Sequence, residues 1–145
     1  MIKNKQGQLV STSPKQTQEF AAKIAKDSKN TGRIFALIGD LGSGKTTFAQ
    51  GFARGLGIKE KIISPTFVLI KQHSIPNSKK TFYHIDLYRL EGEIDLISIG
   101  LKEIFESGNV VLIEWADKIL DMLPKDITKI IITKLDKDER SIEIT

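Results

Sequence analysis

The chain has 145 residues, with 22 Lys and Arg against 18 Asp and Glu, a formal net charge of +4 and no cysteine. The missing thiols exclude disulfide frameworks, thiolate metal sites and cysteine nucleophiles, and no Lys/Arg block has the length of a nucleic-acid-binding tail. The opening MIKNKQGQLV has no apolar signal core, and no apolar run approaches the ~20 residues that cross a bilayer. The expectation is a cytoplasmic chain without membrane association, forming one domain over residues 1–145. Its mild basicity reads as a solvated surface, or as one that helps a polyanionic partner approach.

In chain order, the stretch TSPKQTQEFAAKIAKD reads as the first helix. Ser13 is the candidate N-cap, Pro14 suits the first helical position and Gln16 completes a capping-box pattern. Phe20, Ala21, Ile24 and Ala25 fall on one face at helical spacing, and Gly32 breaks the run. Arg33 to Ile38 reads as a buried strand leading straight into a glycine loop. From Thr46 to Leu56, Phe48, Ala49, Phe52 and Ala53 recur at helical intervals, with a stop near Gly57.

TFVLIKQHSI and TFYHIDLY are β-rich and flank a turn at Pro76–Asn77, the pattern of an antiparallel hairpin. IDLISIGLKEIFES reads as helical, interrupted at Gly100. NVVLIEW is a continuous apolar run of the kind found in parallel strands, and DITKIIITKLDKDERSIEIT reads as two strands around a charged turn. The predicted fold is therefore α/β: a P-loop NTPase-like three-layer sandwich with a mixed, mostly parallel central sheet and antiparallel hairpins.

The chemistry concentrates in GDLGSGKTT, residues 39–47. Gly39, Gly44, Lys45 and Thr46 satisfy G-x-x-x-x-G-K-[ST], a chance match expected in roughly one chain of this length in two hundred at average residue usage. Glycines let the backbone of Gly39, Asp40, Leu41, Gly42, Ser43 and Gly44 wrap tightly, so that successive N–H groups point at phosphate oxygens. The helix starting near Lys45 adds its positive N-terminal end, through Lys45, Thr46 and Thr47. Lys45 is placed to reach the β- and γ-phosphates, and the Thr46 hydroxyl to reach Mg²⁺.

A Mg²⁺ site also wants a carboxylate at the end of a neighbouring strand. Two acids compete for that place: Glu114, after the apolar run Val110–Ile113, and Asp86, closing FYHID. His73 and His84 lack a partner pattern and read as structural or surface residues. Arg140, near the last hairpin, reads either as a nucleotide contact or as a surface arginine. TKLD at 133–136 resembles the guanine-reading element of GTPases, but no D-x-x-G switch accompanies it. A small-metabolite kinase is the stronger alternative, although its lid would usually carry several arginines and this chain has only Arg33, Arg54, Arg89 and Arg140. A third reading is a scaffold whose bound nucleotide merely sets its shape.

GDLGSGKTTFAQG, SPTF (64–67), HIDLYRL (84–90), IGLKEIF (99–105) and LIEW (112–115) together resemble the bacterial TsaE family, also called YjeE, in order and spacing over nearly the whole chain. The resemblance implies a cytoplasmic P-loop ATPase needed for the N6-threonylcarbamoyl modification of adenosine 37 in tRNAs that read ANN codons. It implies ATP and Mg²⁺ as cofactors and the proteins TsaB and TsaD as partners, with tRNA reached through their complex. Hydrolysis is implied to be weak alone and stimulated by the partners. By motif, Lys45 and Thr46 would hold phosphates and metal, and Asp86 and Glu114 would be the acids near the metal and γ-phosphate. Thr66 would lie in a switch-like segment, Trp115 beside the site, and Ser13 and Pro14 near the base or ribose. Two departures stand out: Ala116 replaces a proline common in the family, and the tail is short, ending at Thr145.

Overall fold

The computed structural model describes residues 2–3 (as backbone), 8–62, 70–91 and 99–145. Eight strands form one mixed sheet in the order β1-β2-β8-β7-β3-β6-β5-β4. Its centre is β7 (Thr128–Lys134), β3 (Arg33–Ile38), β6 (Val110–Glu114) and β5 (Thr81–Asp86), and these four are mutually parallel. The flanks are antiparallel. β4 (Ile70–Ser74) pairs with β5 across the hairpin expected at Pro76–Asn77, and β8 (Arg140–Ile144) returns along β7.

β2 (Gln8–Ser11) adds to β8, and the two-residue β1 (Ile2–Lys3) adds to β2. Neither strand is foreseen from the polar opening MIKNKQGQLV. Backbone pairing with β8 recruits this segment where its own pattern carries little apolar signal.

Alternation along the central strands sends residues to two cores. Phe35 and Leu37 of β3, with Leu112 of β6, Phe82 of β5 and Ile130 of β7, face α1 (Pro14–Ser28) and α2 (Lys45–Gly55). Ile34, Ala36, Ile85 and Ile113 face α3 (Leu101–Glu106) and a kinked 3-10 segment, Ala116–Met122. The three expected layers result. Gly100 turns with φ 71° just before α3, which matches the expected interruption, while residues 92–98 of that predicted helix lie outside the described residues.

α1 and α2 pack so closely that a Cβ on Gly51 would stand 2.4 Å from Gln18 Cα, and one on Gly55 2.3 Å from the Ala22 carbonyl. The two glycines, one helical turn apart, thus let α1 lie directly on the helix that follows the phosphate-type loop. α1 begins as predicted, with Pro14 first and the Ser13 hydroxyl accepting from the Gln16 N–H at 3.1 Å. The reciprocal half of the capping box is different: Gln16 Oε1 accepts from the N–H and hydroxyl of Thr12, at 2.9 and 3.0 Å. Thr12 offers two donors side by side, and the longer Gln side chain reaches them one residue beyond the cap.

Candidate functional site

β3 ends at Ile38, and the chain turns through Gly39–Gly44 before α2 starts at Lys45. Gly44 takes φ 105°, a left-handed value that a residue with a Cβ adopts only under strain. It brings the backbone round so that α2 opens with its N-terminal turn at the loop. The Ser43 N–H donates to the Asp40 carbonyl at 3.0 Å, closing a turn inside the loop.

Arg140, the first residue of β8, ties this loop to the final hairpin. Its Nε donates to the Ser43 carbonyl at 2.8 Å and Nη2 to that of Gly42 at 3.4 Å, while Nη1 reaches the carbonyls of Asp136, Lys137 and Glu139 at 3.0–3.2 Å. Because a trans peptide points its N–H opposite its C=O, fixing the Ser43 carbonyl on Arg140 turns the Gly44 N–H away from the guanidinium. Arg140 is therefore more than a solvated surface arginine. It is a brace on the loop, and it also lines a small cleft of about 60 Å³ where Ser13 and Pro14 stand opposite Gly44 and Thr47.

Lys45 folds back over the loop. Its Nζ donates to the carbonyls of Gly39 (2.5 Å) and Asp40 (2.8 Å) and sits 3.9 Å from the ring centroid of Trp115, a cation–π contact. Burial lowers the Lys45 pKa from its usual 10.5, opposed by the negative charges of Glu114, Asp117, Asp40 and Asp86. Trp115 itself has φ 60°, a strained value for a bulky residue that persists only where its surroundings enforce it. Its ring is tilted against that of Tyr88 at 5.1 Å.

The two competing acids turn out to be neighbours. Asp86 is in register with Glu114 across β5 and β6, and Glu114 with Leu37 of β3. Both acids therefore sit at the carboxyl ends of parallel strands beside the loop, the usual ligand crevice of such sheets. Burial raises the Asp86 pKa above its usual 3.8; the Tyr88 N–H that Oδ1 accepts at 3.0 Å works against this, Glu114 adds to it, and His84 and Lys45 oppose it.

His84, expected to be a structural or surface residue without a partner, is buried within this cluster. Its Nε2 donates to Glu114 Oε2 at 2.5 Å, and both side chains are buried. Strand alternation held the signal: His84 and Asp86 share a face of β5, and Glu114 closes the adjacent strand on that same face. What sequence lacked was the β5–β6 pairing that brings His84 and Glu114, 30 positions apart, together. His73 is separate, bonded to Glu60 at 2.6 Å.

The structure thus gathers the loop from Gly39 to Thr47 with Asp86, Glu114 and Trp115 at one sheet end, and Ser13, Pro14 and Arg140 on its flank. Thr66, with the rest of SPTF, lies outside the described residues. Among the described residues, no three of His, Asp and Glu form a metal cage, and no helix is long and apolar enough to cross a membrane.

The sequence profile described as "Threonylcarbamoyl adenosine biosynthesis protein TsaE" matches residues 11–142. A Bacillus subtilis protein named tRNA threonylcarbamoyladenosine biosynthesis protein TsaE is 42% identical over 132 residues, covering 91% of this chain and 80% of its own. A Rickettsia bellii protein of the same name is 38% identical over 139 residues, covering 95% and 94%. The crystal structure of Bacillus subtilis YdiB superposes with a TM-score of 0.78 at 35% identity, covering 99% of this chain and 87% of that one. The chain belongs to the TsaE family.

Proposed function

We propose that this protein is a cytoplasmic, Mg²⁺-dependent ATPase that serves N6-threonylcarbamoyladenosine formation in tRNA, working with TsaB and TsaD as a single P-loop domain. Family membership supports the pathway. The observation that carries the chemistry is the convergence of Lys45, at the head of α2, with Asp86 and Glu114 at the ends of β5 and β6.

The donor set fits Mg²⁺. It is all oxygen, from the Thr46 hydroxyl and two carboxylates, which suits an ion that keeps waters and takes phosphate oxygens as further ligands. When bound, Mg²⁺ supplies charge neutralisation on the phosphoryl oxygens.

The chain's own groups do the rest. Lys45 exchanges the carbonyls of Gly39 and Asp40 for the β- and γ-phosphate oxygens, and desolvation strengthens that attraction. Backbone N–H groups of the loop and the first turn of α2 hold the phosphates. Glu114 and Asp86 receive the metal or orient the attacking water, and Ser13, Pro14 and Thr47 line the flank toward the nucleoside. Arg140 is committed to backbone carbonyls, so a partner that stimulates turnover would act by supplying or placing further positive charge.

Cells depleted of the protein test this directly. Lys45→Ala, supplied as a normally folded variant, is expected to leave tRNA nucleoside digests without threonylcarbamoyladenosine, as read by mass spectrometry. Full restoration by that variant would contradict an ATP-driven role and favour a scaffold.

A further inference from the structure

Glu114 does not stand alone at the end of β6. His84 Nε2 lies 2.5 Å from its Oε2, with only 1% of the His84 side chain and 2% of the Glu114 side chain exposed. Nδ1 of the same ring is buried and has no hydrogen-bond partner among the described residues. Those two facts assign the ring proton to Nε2: a carboxylate oxygen accepts, and an orphaned buried N–H is the rarer defect.

The ring is also held in place. It stacks on Phe82 with 6.1 Å between centroids and 8° between planes, and Phe82 in turn packs on Phe52 of α2 at 5.6 Å. The donor is thereby fixed relative to the helix that begins with Lys45.

A histidine is an expensive way to fill such a place. Its neighbours on that face, Phe82 and Leu112, are apolar and fully buried, and a leucine would fill the space without the desolvation of an imidazole. What the imidazole adds is one directed N–H, delivered to one carboxylate of the site.

We propose that His84 is a positioning residue: its Nε2–H fixes the rotation of the Glu114 carboxylate in the orientation in which Glu114 meets the nucleotide-bound Mg²⁺ or its water. The inference deepens the Mg²⁺–ATP reading above and rests on it. Hydrogen bonds from outside the coordination sphere commonly orient ligating carboxylates in this way.

The test compares His84→Phe, which keeps the stack on Phe82 and removes the donor, with His84→Gln, whose amide N–H reaches about the same point. Mn²⁺ affinity of ADP-saturated protein is read by electron paramagnetic resonance, beside ADP affinity in EDTA. His84→Phe is expected to weaken Mn²⁺ binding by roughly 10–100-fold, the usual cost of losing such a partner, with metal-free ADP affinity unchanged. His84→Gln is expected to retain most of the wild-type Mn²⁺ affinity. Unchanged Mn²⁺ affinity in His84→Phe, or an equal loss in a folded His84→Gln, would overturn the proposal.

Should His84→Phe not fold, His84→Asn decides. Its amide is polar but too short to reach Oε2, so it is expected to lose Mn²⁺ affinity, and wild-type affinity there overturns the proposal. Wild-type protein that binds ADP but no Mn²⁺ would instead remove the Mg²⁺ reading, and this inference with it.

Discussion

At Lys45 and Asp86 the chain keeps two ionisable groups away from water at a cost to its own stability. Burial raises the Asp86 pKa above 3.8, so between that value and the raised one the native state binds the proton that the unfolded chain has lost. Native stability therefore falls as pH rises through this window, and the penalty stays at neutral pH. Lys45 has the opposite shift, below 10.5, and its penalty is relieved only as pH climbs toward that value. Asp86→Asn keeps an oxygen for the Tyr88 N–H and removes the charge. It is expected to stabilise the nucleotide-free protein at neutral pH by about 1 kcal/mol in urea unfolding, with the gain shrinking as pH falls toward 3.8. A variant less stable than wild type at neutral pH would contradict this.

Much of this scale was legible in the sequence. Gly39 to Thr47 announced themselves by spacing, and Asp86 and Glu114 by closing apolar strands. The His84–Glu114 bond was not legible, because it exists only once β5 and β6 pair in a particular register. Nor does sequence announce that Trp115 takes φ 60° and lays its ring beneath Lys45.

Among the elements, the β7–β8 hairpin has a task beyond closing the sheet. Through Arg140 it grips the carbonyls of Gly42 and Ser43 on one side and its own turn on the other. Arg140→Ala is expected to leave the fold intact and to weaken nucleotide binding about tenfold, the worth of roughly one charge-assisted hydrogen bond. Arg140→Lys is expected to fail as well, since a single ammonium cannot span carbonyls on two segments as the guanidinium fork does. Nucleotide titration by calorimetry checks both, and wild-type affinity in Arg140→Lys would show that charge alone suffices.

Helices α1 and α2, the central strands and both hairpins followed from periodicity and turn residues. β1 and β2 did not, since their residues carry no strand pattern and the edge of β8 selects them. The 3-10 segment after Trp115 also escaped notice. Its Ala116 and Ile119 are buried against the sheet, but a kink at Ile119 breaks any regular helical period.

Across the whole molecule, four parallel strands bring the loop, both acids and the tryptophan to one end of the sheet, while antiparallel hairpins widen it on each side. The fold class and its three layers were readable because β3 and β6 are nearly continuous apolar runs and amphipathic helical patterns precede and follow β3. The proposed role of this site is ATP hydrolysis in the service of a tRNA-modifying complex. Its most direct test is phosphate release from Mg²⁺–ATP by the purified protein, alone and with TsaB, TsaD and tRNA, beside Glu114→Gln. Slow release alone, faster release in the complex and loss of Mg²⁺-dependent turnover in Glu114→Gln are the expected results. No stimulation by the partners, or equal turnover by Glu114→Gln with its Mg²⁺ dependence intact, would contradict the account.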